Sequence, residues 1–138
     1  MVKHTVTAGW IKEKAFQGII DGHRLIVDSE SAESSLGASP KKLMLLALAG
    51  CTGVDIIIIL KKMKIKLKDF KVTVEGELTE EFPRYYHTMH TIYEFTGKDL
   101  PLDNLKKAVE LSEEKYCGVR AVYVKAIKLT SEIIVTGI

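Results

Sequence analysis

The sequence predicts an α+β fold, organised as a single domain over residues 1–138. One long run of apolar residues, Leu43–Leu60, indicates a helix that is buried on all sides. Apolar and polar residues alternate over 70–78 and 85–95, as they do in strands, and a helical period returns over 105–116. Strands, helix, hairpin, helix and a final strand therefore follow one another, an order that is typical of α+β proteins.

The composition indicates a protein with a hydrophobic core and a mixed surface. Apolar residues make up 46% and charged residues 28%, and the net charge of +2 comes from 20 basic and 18 acidic side chains. The lysines between 61 and 68 are typical of a solvated helix end, so we expect no nucleic-acid partner. The N-terminus lacks the apolar segment of a secretory signal, which predicts a cytoplasmic location and reduced cysteines. Scarce Asn and Gln beside abundant Lys and Glu are typical of thermophiles.

The first 28 residues are predicted to form two or three short strands. The residues that mark them are Val2, Thr5 and Val6 for the first strand, Gly9 and Gly18 for turns, and Leu25–Val27 for the last strand. Asp21-Gly22 is a hairpin-turn sequence. The segment that follows, Asp28–Ala38, is rich in Ser and Glu and predicts a surface loop.

The long apolar run is predicted to be a helix with Ser39 as its N-cap and Pro40 as its first residue. Its length would suit a membrane span, but Asp55 lies inside it, and an Asp at mid-membrane costs about 2.5–3.5 kcal/mol. We therefore expect no membrane insertion. A domain of this size buries such a helix more easily when a second subunit covers part of it, so we expect an intimate homodimer.

The second half of the chain is predicted to contain a hairpin, a helix and a strand. Phe70–Leu78 and Tyr85–Phe95 alternate in character and should pair as an antiparallel hairpin. The next helix opens at Leu100–Asp103 and is expected to end at Gly118, and residues 122–135 are expected to return as a strand. The apolar or small residues behind these assignments are Leu105, Ala108, Val109, Ser112 and Tyr116 in the helix, and Ile127, Leu129, Ile133 and Val135 in the strand.

The two cysteines lie in unlike settings. Cys51 is deep in the apolar helix between Gly50 and Gly53, and each glycine costs about 1 kcal/mol in a helix interior relative to Ala. This indicates that a substrate or another helix approaches the backbone closely. Asp55 lies one turn from Cys51 on the same face, where it either interacts with a substrate or the thiol or forms a cap or pair within the dimer. Cys117 ends the second helix. Free buried cysteines are ordinarily inert, so their surroundings decide the interpretation.

Both cysteines lie in segments that resemble motifs of the OsmC/Ohr family. Gly37–Pro40 together with Leu46–Thr52 resembles the helix around that family's reactive cysteine, and Leu111–Cys117 resembles its second cysteine motif. Residues near the N-terminus are also similar to the family, particularly to its YhfA-like branch: Trp10, Phe16, Gly22-His23 and Val27-Asp28. The resemblance extends over nearly the whole chain.

This resemblance implies an OsmC-like fold, in which antiparallel β-sheet wraps two central helices per chain in an intertwined homodimer with active sites at the subunit interface. Cys51 matches the peroxidatic cysteine, which attacks an organic hydroperoxide and becomes a sulfenic acid. Cys117 matches the resolving cysteine, which closes a disulfide that an external dithiol then reduces. No cofactor is implied. The apolar surroundings of Cys51 favour alkyl hydroperoxides over hydrogen peroxide.

The chain departs from the family pattern beside the reactive cysteine. The peroxidases of the family pair that cysteine with an N-terminal arginine and with a glutamate after the helix-opening proline, where this chain has Lys41-Lys42. A cation that lowers the thiol pKa is expected from among Arg24, Lys14 and Arg120. The departure motivates an alternative function, a dimer without peroxidase activity that binds an apolar small molecule in the interface pocket.

His87 and His90 suggest a metal site only at first sight. Residues three apart on a strand point to opposite faces, so the two rings are predicted to be surface residues of the hairpin. Two cysteines also cannot supply a four-sulfur zinc site, and no metal is expected. The aromatic residues predicted to serve in packing are Trp10, Tyr85, Tyr86 and Tyr93.

Overall fold

The structure is a computed structural model that describes residues 1–29 and 33–138. The chain divides into two compact units, Met1–Met44 and Leu45–Ile138. Each unit is described by itself, and the single domain over 1–138 stays a prediction. The chain contains two antiparallel or mixed sheets together with helices, and the predicted α+β fold class is confirmed.

The first unit contains a three-stranded antiparallel sheet in the order β1-β2-β3. The strands are β1 (Ala8–Lys12), β2 (Ala15–Ile20) and β3 (His23–Val27). The predicted turn at Asp21-Gly22 is confirmed, and both residues have positive φ, 50° and 82°. A two-residue turn of this kind follows the right-handed twist of the flanking strands, and Asp and Gly tolerate positive φ better than bulkier residues.

Two predictions about the N-terminus are wrong. The first strand begins at Ala8 rather than at Val2, and Gly9 and Gly18 lie inside strands instead of in turns. Gly9 pairs with Gln17, and Gly18 pairs with both Ala8 and Leu25. Glycine permits a turn without requiring one, and here pairing with the neighbouring strands determines the conformation.

The polar segment after β3 is a loop over the residues that the structure describes, 28–29 and 33–38, which confirms that part of the prediction. Residues 30–32 lie outside the described residues. The Asp28 carboxylate accepts hydrogen bonds from the backbone N–H groups of Leu36 (2.9 Å) and Ser29 (2.6 Å), and these bonds lower the pKa of Asp28. One carboxylate therefore joins the two ends of the loop.

The predicted central helix is present as α1 (Leu43–Lys62). It begins three residues after Pro40, and the Leu43 N–H donates to the carbonyl oxygens of Ser39 and Pro40 in the preceding turn. Its buried residues recur every fourth position and form one face: Leu48, Thr52, Ile56 and Leu60. That spacing places one side of the helix against the rest of the chain.

The opposite side of α1 is exposed, although the sequence predicts burial all round. Large apolar residues there are 46–64% exposed: Leu46, Val54, Ile57 and Ile58. The helix is long and apolar enough to cross a membrane by length and composition, and only 22% of its most apolar window is buried within the chain. The described residues therefore leave this side of the helix uncovered, and cover by a second subunit stays a prediction.

The second unit is built on a three-stranded sheet in the order β4-β5-β6. The predicted hairpin is confirmed, because β4 (Asp69–Leu78) pairs antiparallel with β5 (Tyr86–Gly97), and β6 (Lys128–Gly137) pairs parallel with β5. One face of the sheet packs on the helices around a cluster of buried side chains: Ile56, Leu60, Tyr93, Phe95, Leu105, Ala108 and Val109. The Phe70 and Phe95 rings stack on each other 4.6 Å apart.

The second predicted helix is divided into three pieces. It runs as α2 (Leu102–Leu111), widens into a π-turn over Ser112–Tyr116, and resumes after Cys117 as α3 (Gly118–Tyr123). Gly118 therefore begins a helix instead of ending one, and 122–127 is not strand, which are corrections to the sequence prediction.

The π-turn also explains why Tyr116 is 53% exposed, although it was predicted to belong to the buried stripe of the second helix. A π-turn contains more residues per turn than an α-helix, so the stripe moves out of phase after Ser112. The stripe is buried as predicted up to that residue.

Candidate active site

Cys51, Asp55 and Cys117 converge on one point. The two Sγ atoms and a carboxylate oxygen of Asp55 all lie within 4.8 Å of one another, and both cysteines are free. Cys51 and Asp55 come from adjacent turns of α1, whereas Cys117 comes from the junction between the π-turn and α3. The structure thus brings together the two cysteines that the sequence analysis selected, and it places Asp55 beside them.

The π-turn positions Cys117. The Cys117 N–H donates to the Ser112 carbonyl oxygen (2.8 Å), which is the wide i to i+5 bond of a π-turn. Cys117 is then the residue before α3, and its Sγ accepts a hydrogen bond from the backbone N–H of Arg120 (3.3 Å). Its side chain is only 3% exposed, while Cys51 is partly exposed. A reagent from solvent therefore meets Cys51 first.

Cys117 is also less readily ionised than an ordinary cysteine, as its raised pKa indicates. Burial and, to a smaller extent, the hydrogen bond with Cys51 raise the pKa of Cys117 to about 11, although the hydrogen bond from the Arg120 N–H opposes the shift. Because the thiolate is the nucleophilic form of cysteine, Cys117 is a weak nucleophile at neutral pH. Its neutral thiol is well placed to react with a group formed on Cys51.

Ser112 orients the Asp55 carboxylate. The Ser112 hydroxyl donates to Asp55 Oδ2 at 2.9 Å and lies 3.4 Å from the Thr52 carbonyl oxygen. Ser112 is completely buried, so this bond is shielded from water. The sequence analysis missed this role, although a polar residue on an otherwise apolar stripe was a usable signal. For Asp55, the structure favours an interaction beside the thiol.

Arg120 and Tyr93 both contact Glu113, which lies in the π-turn. The Tyr93 hydroxyl donates to Glu113 Oε2 at 2.9 Å, and burial, followed by the Glu113 charge, raises the Tyr93 pKa. The Arg120 guanidinium donates to the Glu113 carbonyl oxygen at 3.1 Å. Arg120 thus holds the π-turn through its side chain and contacts Cys117 through its backbone. The other two expected cations, Lys14 and Arg24, belong to the first unit, and their role stays a prediction.

A cleft of about 420 Å³ opens beside Asp55. Its other walls are mostly apolar, with one lysine: Ile58, Ile59, Lys62, Met63, Leu111 and Tyr116. Apolar walls around a few polar groups are typical of small-molecule sites. The cleft therefore offers space for an alkyl or aryl group next to Asp55, the one residue of the three that lines it.

A second apolar groove, of about 390 Å³, runs along the exposed side of α1. It is lined by Gly50, Gly53, Val54, Ile57, Ile58, Phe70 and Val72. A Cβ added at Gly50 would meet nothing within 4 Å among the described residues, and one at Gly53 would meet only the Val72 side chain at 3.6 Å. Whatever approaches Gly50 closely is therefore not in the described part of this chain. The predicted alternatives, a substrate or another helix, both remain.

The two histidines have separate partners. His90 contacts Thr130 Oγ1 (2.7 Å) and Glu132 Oε1 (2.8 Å), whereas His87 pairs with Glu77 (3.1 Å). Both lie on the hairpin, as predicted, and their rings serve different cross-strand contacts. They do not join the cysteine site.

Comparison with known proteins gives consistent matches. The family model described as OsmC-like protein matches residues 31–132. Protein YhfA of Escherichia coli K12 is 33% identical over 122 residues, which are 88% of this chain and 90% of that protein. The crystal structure of a hypothetical protein from Aquifex aeolicus VF5 has a TM-score of 0.90 at 28% identity and covers 100% of this chain and 99% of its own. The organic hydroperoxide resistance protein OhrB of Bacillus subtilis has a TM-score of 0.69 at 16% identity, with 96% and 98% covered, and shows the shared fold alone.

Proposed function

This chain belongs to the OsmC-like family, and we propose that it reduces organic hydroperoxides with a pair of cysteines. The observation that carries the proposal is the contact between Cys51 and Cys117, which come from distant parts of the sequence and lie within 4.8 Å of each other in the fold. A disulfide forms between them once the two sulfurs, now within 4.8 Å, approach to about 2 Å. Relatives of the same fold are named for organic hydroperoxide resistance.

The proposed reaction has three steps. The Cys51 thiolate attacks the outer oxygen of the hydroperoxide, the O–O bond breaks, and the alkoxide takes a proton and leaves as the alcohol. The Cys117 S–H bond then breaks as its sulfur attacks the sulfur of the Cys51 sulfenic acid, and the released proton leaves with the departing hydroxide as water while the disulfide forms. An external dithiol reduces this disulfide by exchange and is itself oxidised. The more exposed thiol thus meets the substrate, and the buried, protonated thiol resolves the product.

We assign the proton transfer to Asp55. The carboxylate lies beside both thiols and is held by Ser112, so it can accept a proton from Cys51 and return it to the departing alkoxide. The chain has lysine at the position where the peroxidases of the family have glutamate, and Asp55 supplies a carboxylate from the next turn of the cysteine's own helix.

The mostly apolar cleft beside Asp55 supports an alkyl or aryl hydroperoxide as substrate. We further propose that two chains form a homodimer through the exposed apolar side of α1, in the cytoplasm, where a reducing environment keeps both thiols available. The apolar residues left exposed on this helix support that assembly, because patches of this kind mark interaction surfaces.

The test is a titration of free thiols combined with intact mass, before and after one equivalent of cumene hydroperoxide. The wild-type protein is expected to lose both thiols and two hydrogens per chain. Cys51→Ser is expected to stop the reaction, and Cys117→Ser is expected to leave a sulfenic acid on Cys51. Two free thiols in the wild-type protein after prolonged exposure would exclude the proposed cycle.

A second candidate function is binding of an apolar small molecule without peroxide chemistry. The cleft of apolar side chains favours it, as does the lysine pair in place of the family's glutamate. The Cys51→Ser variant separates the two functions, since ligand binding would survive a change that abolishes peroxide reduction. A fluorescent apolar probe that binds wild-type protein and Cys51→Ser with equal affinity, while neither protein reduces hydroperoxide, would support this candidate.

A further inference from the structure

The three groups at the centre of the site form a compact donor set for a metal ion. Two sulfurs and a carboxylate oxygen, from Cys51, Cys117 and Asp55, lie within 4.8 Å of one another. Zinc binds sulfur at about 2.3 Å and carboxylate oxygen at about 2.0–2.2 Å, which places the donors around a tetrahedral ion roughly 3.5–3.8 Å apart. Shifts of about 1 Å would therefore bring all three donors onto one ion.

The charge of these groups also favours a cation. When the thiols are deprotonated, two thiolates and one carboxylate share a space that is partly buried. Among the residues that the structure describes, no lysine, arginine or histidine forms an ion pair with Asp55. A divalent ion would neutralise most of this charge, and thiolate ligands favour soft or borderline metals over magnesium or calcium.

Two hydrogen bonds orient the donors from outside. The buried Ser112 hydroxyl donates to Asp55 Oδ2, and the Arg120 backbone N–H donates to Cys117 Sγ. Outer hydrogen bonds of this kind fix the direction of metal ligands and are characteristic of real sites. The first of them also leaves the other carboxylate oxygen of Asp55 available to an ion.

We propose that the reduced protein binds one thiophilic divalent cation of the zinc type through Cys51, Asp55 and Cys117. The thiol protons pass to solvent on binding, and a water molecule takes the fourth position. The site goes beyond the proposed peroxidase function, and it excludes that function while it is filled, because the Cys51 sulfur is then a ligand. Oxidation to the disulfide removes two of the three donors and releases the ion.

The experiment uses untagged, reduced, full-length protein under anaerobic conditions, with Co²⁺ as a spectroscopic probe and Zn²⁺ as its competitor. Wild-type protein is expected to bind one Co²⁺ per chain, with sulfur-to-metal charge-transfer absorption and the visible bands of a tetrahedral ion, and Zn²⁺ should displace it. Ser112→Ala keeps all three ligands and is expected to weaken the affinity about 10–100-fold. Asp55→Asn should weaken it more, and the disulfide form should not bind.

The matched control is Glu114→Gln, which removes an exposed carboxylate from the same π-turn and should leave the affinity unchanged. Equal affinity in wild-type protein and in Asp55→Asn would overturn the inference, as would a Co²⁺ spectrum without thiolate absorption. The result is independent of peroxide turnover. Ion binding without any reaction with hydroperoxide would remove the proposed function alone, and a peroxide-driven disulfide without ion binding would remove this inference alone.

Discussion

The raised pKa of Cys117 gives a quantitative prediction for Cys51→Ser, which leaves Cys117 as the only thiol of the chain. Burial is the main cause of its raised pKa of about 11, and a serine at position 51 leaves that burial in place while it removes the smaller contributions of the Cys51 thiol, so that about 11 is the upper bound for this variant. At pH 7 a thiol with this pKa is ionised in only about one molecule in ten thousand, compared with about 3% for an ordinary cysteine of pKa about 8.5. The thiolate population is thus lower by roughly 300-fold.

The alkylation rate of Cys117 should fall by a smaller factor than its thiolate population. A more basic thiolate is also more nucleophilic, with a Brønsted coefficient of about 0.4–0.5, which returns part of the loss. The chemical effect that remains is about 20–30-fold, and the 3% exposure of Cys117 adds a steric barrier to it. Alkylation of Cys117 in Cys51→Ser should therefore be about 20-fold slower at pH 7 than alkylation of glutathione.

The assay is iodoacetamide alkylation of folded Cys51→Ser and Cys117→Ser, followed by intact mass between pH 7 and pH 9, with far-UV circular dichroism as a check of folding. Because pH 9 is still below the Cys117 pKa, its rate should rise about tenfold per pH unit across this range. A Cys117 rate within a few-fold of glutathione at pH 7, or a plateau below pH 9, would refute the argument from burial.

Three further predictions concern stability and assembly. In the wild type, unfolded Tyr93 ionises above pH about 10, while native Tyr93 keeps its proton because its pKa is raised, so the free energy of unfolding falls as the pH rises from 9 to 11. Tyr93→Phe removes this contribution, and its free energy of unfolding should fall by about 1 kcal/mol less over the same range. Urea unfolding at pH 9 and pH 11 measures both changes. Gly76→Ala should destabilise the protein by about 1–3 kcal/mol, since the new Cβ would lie 2.6 Å from the Tyr86 ring, and an unchanged urea midpoint would contradict this. Val54→Lys should lower the mass measured by light scattering from that of a dimer to that of a monomer. Val122→Lys, at a similarly exposed valine on α3, should leave the mass unchanged. Identical masses for both variants would argue against the α1 interface.

The elements that the sequence predicted well are those whose pattern repeats over many residues. The apolar run of α1 and the alternating residues of β4 and β5 each carry a period long enough to outweigh local exceptions. The third N-terminal strand was predicted correctly at Leu25–Val27, but the first two were misplaced because they are only five or six residues long, so that two glycines changed the interpretation. Short strands depend on their partners, and pairing is not visible in a single segment.

The sequence also predicted only part of the site: it identified the two cysteines but not all of their surroundings. The motifs around Cys51 and Cys117 selected both residues, and the structure brings them together. Ser112 stood out as a polar residue on an apolar stripe, but its partner Asp55 was not predictable from spacing, because that contact depends on how two helical segments face each other. The exposure of one side of α1 was equally hidden, since an apolar pattern shows that a surface needs cover and not which chain covers it.

The position of Cys117 depends on the one irregular turn of the second helix. In a continuous α-helix each residue advances by about 100°, so Cys117, five residues after Ser112, would point about 140° away from it. The wide π-turn instead joins the Cys117 N–H to the Ser112 carbonyl and places the two residues on the same side. Since Ser112 faces Asp55 on α1, the cysteine that follows it also faces α1. A local departure from α-helical geometry therefore brings the second thiol to the first, and a regular helix of the same sequence would keep them apart.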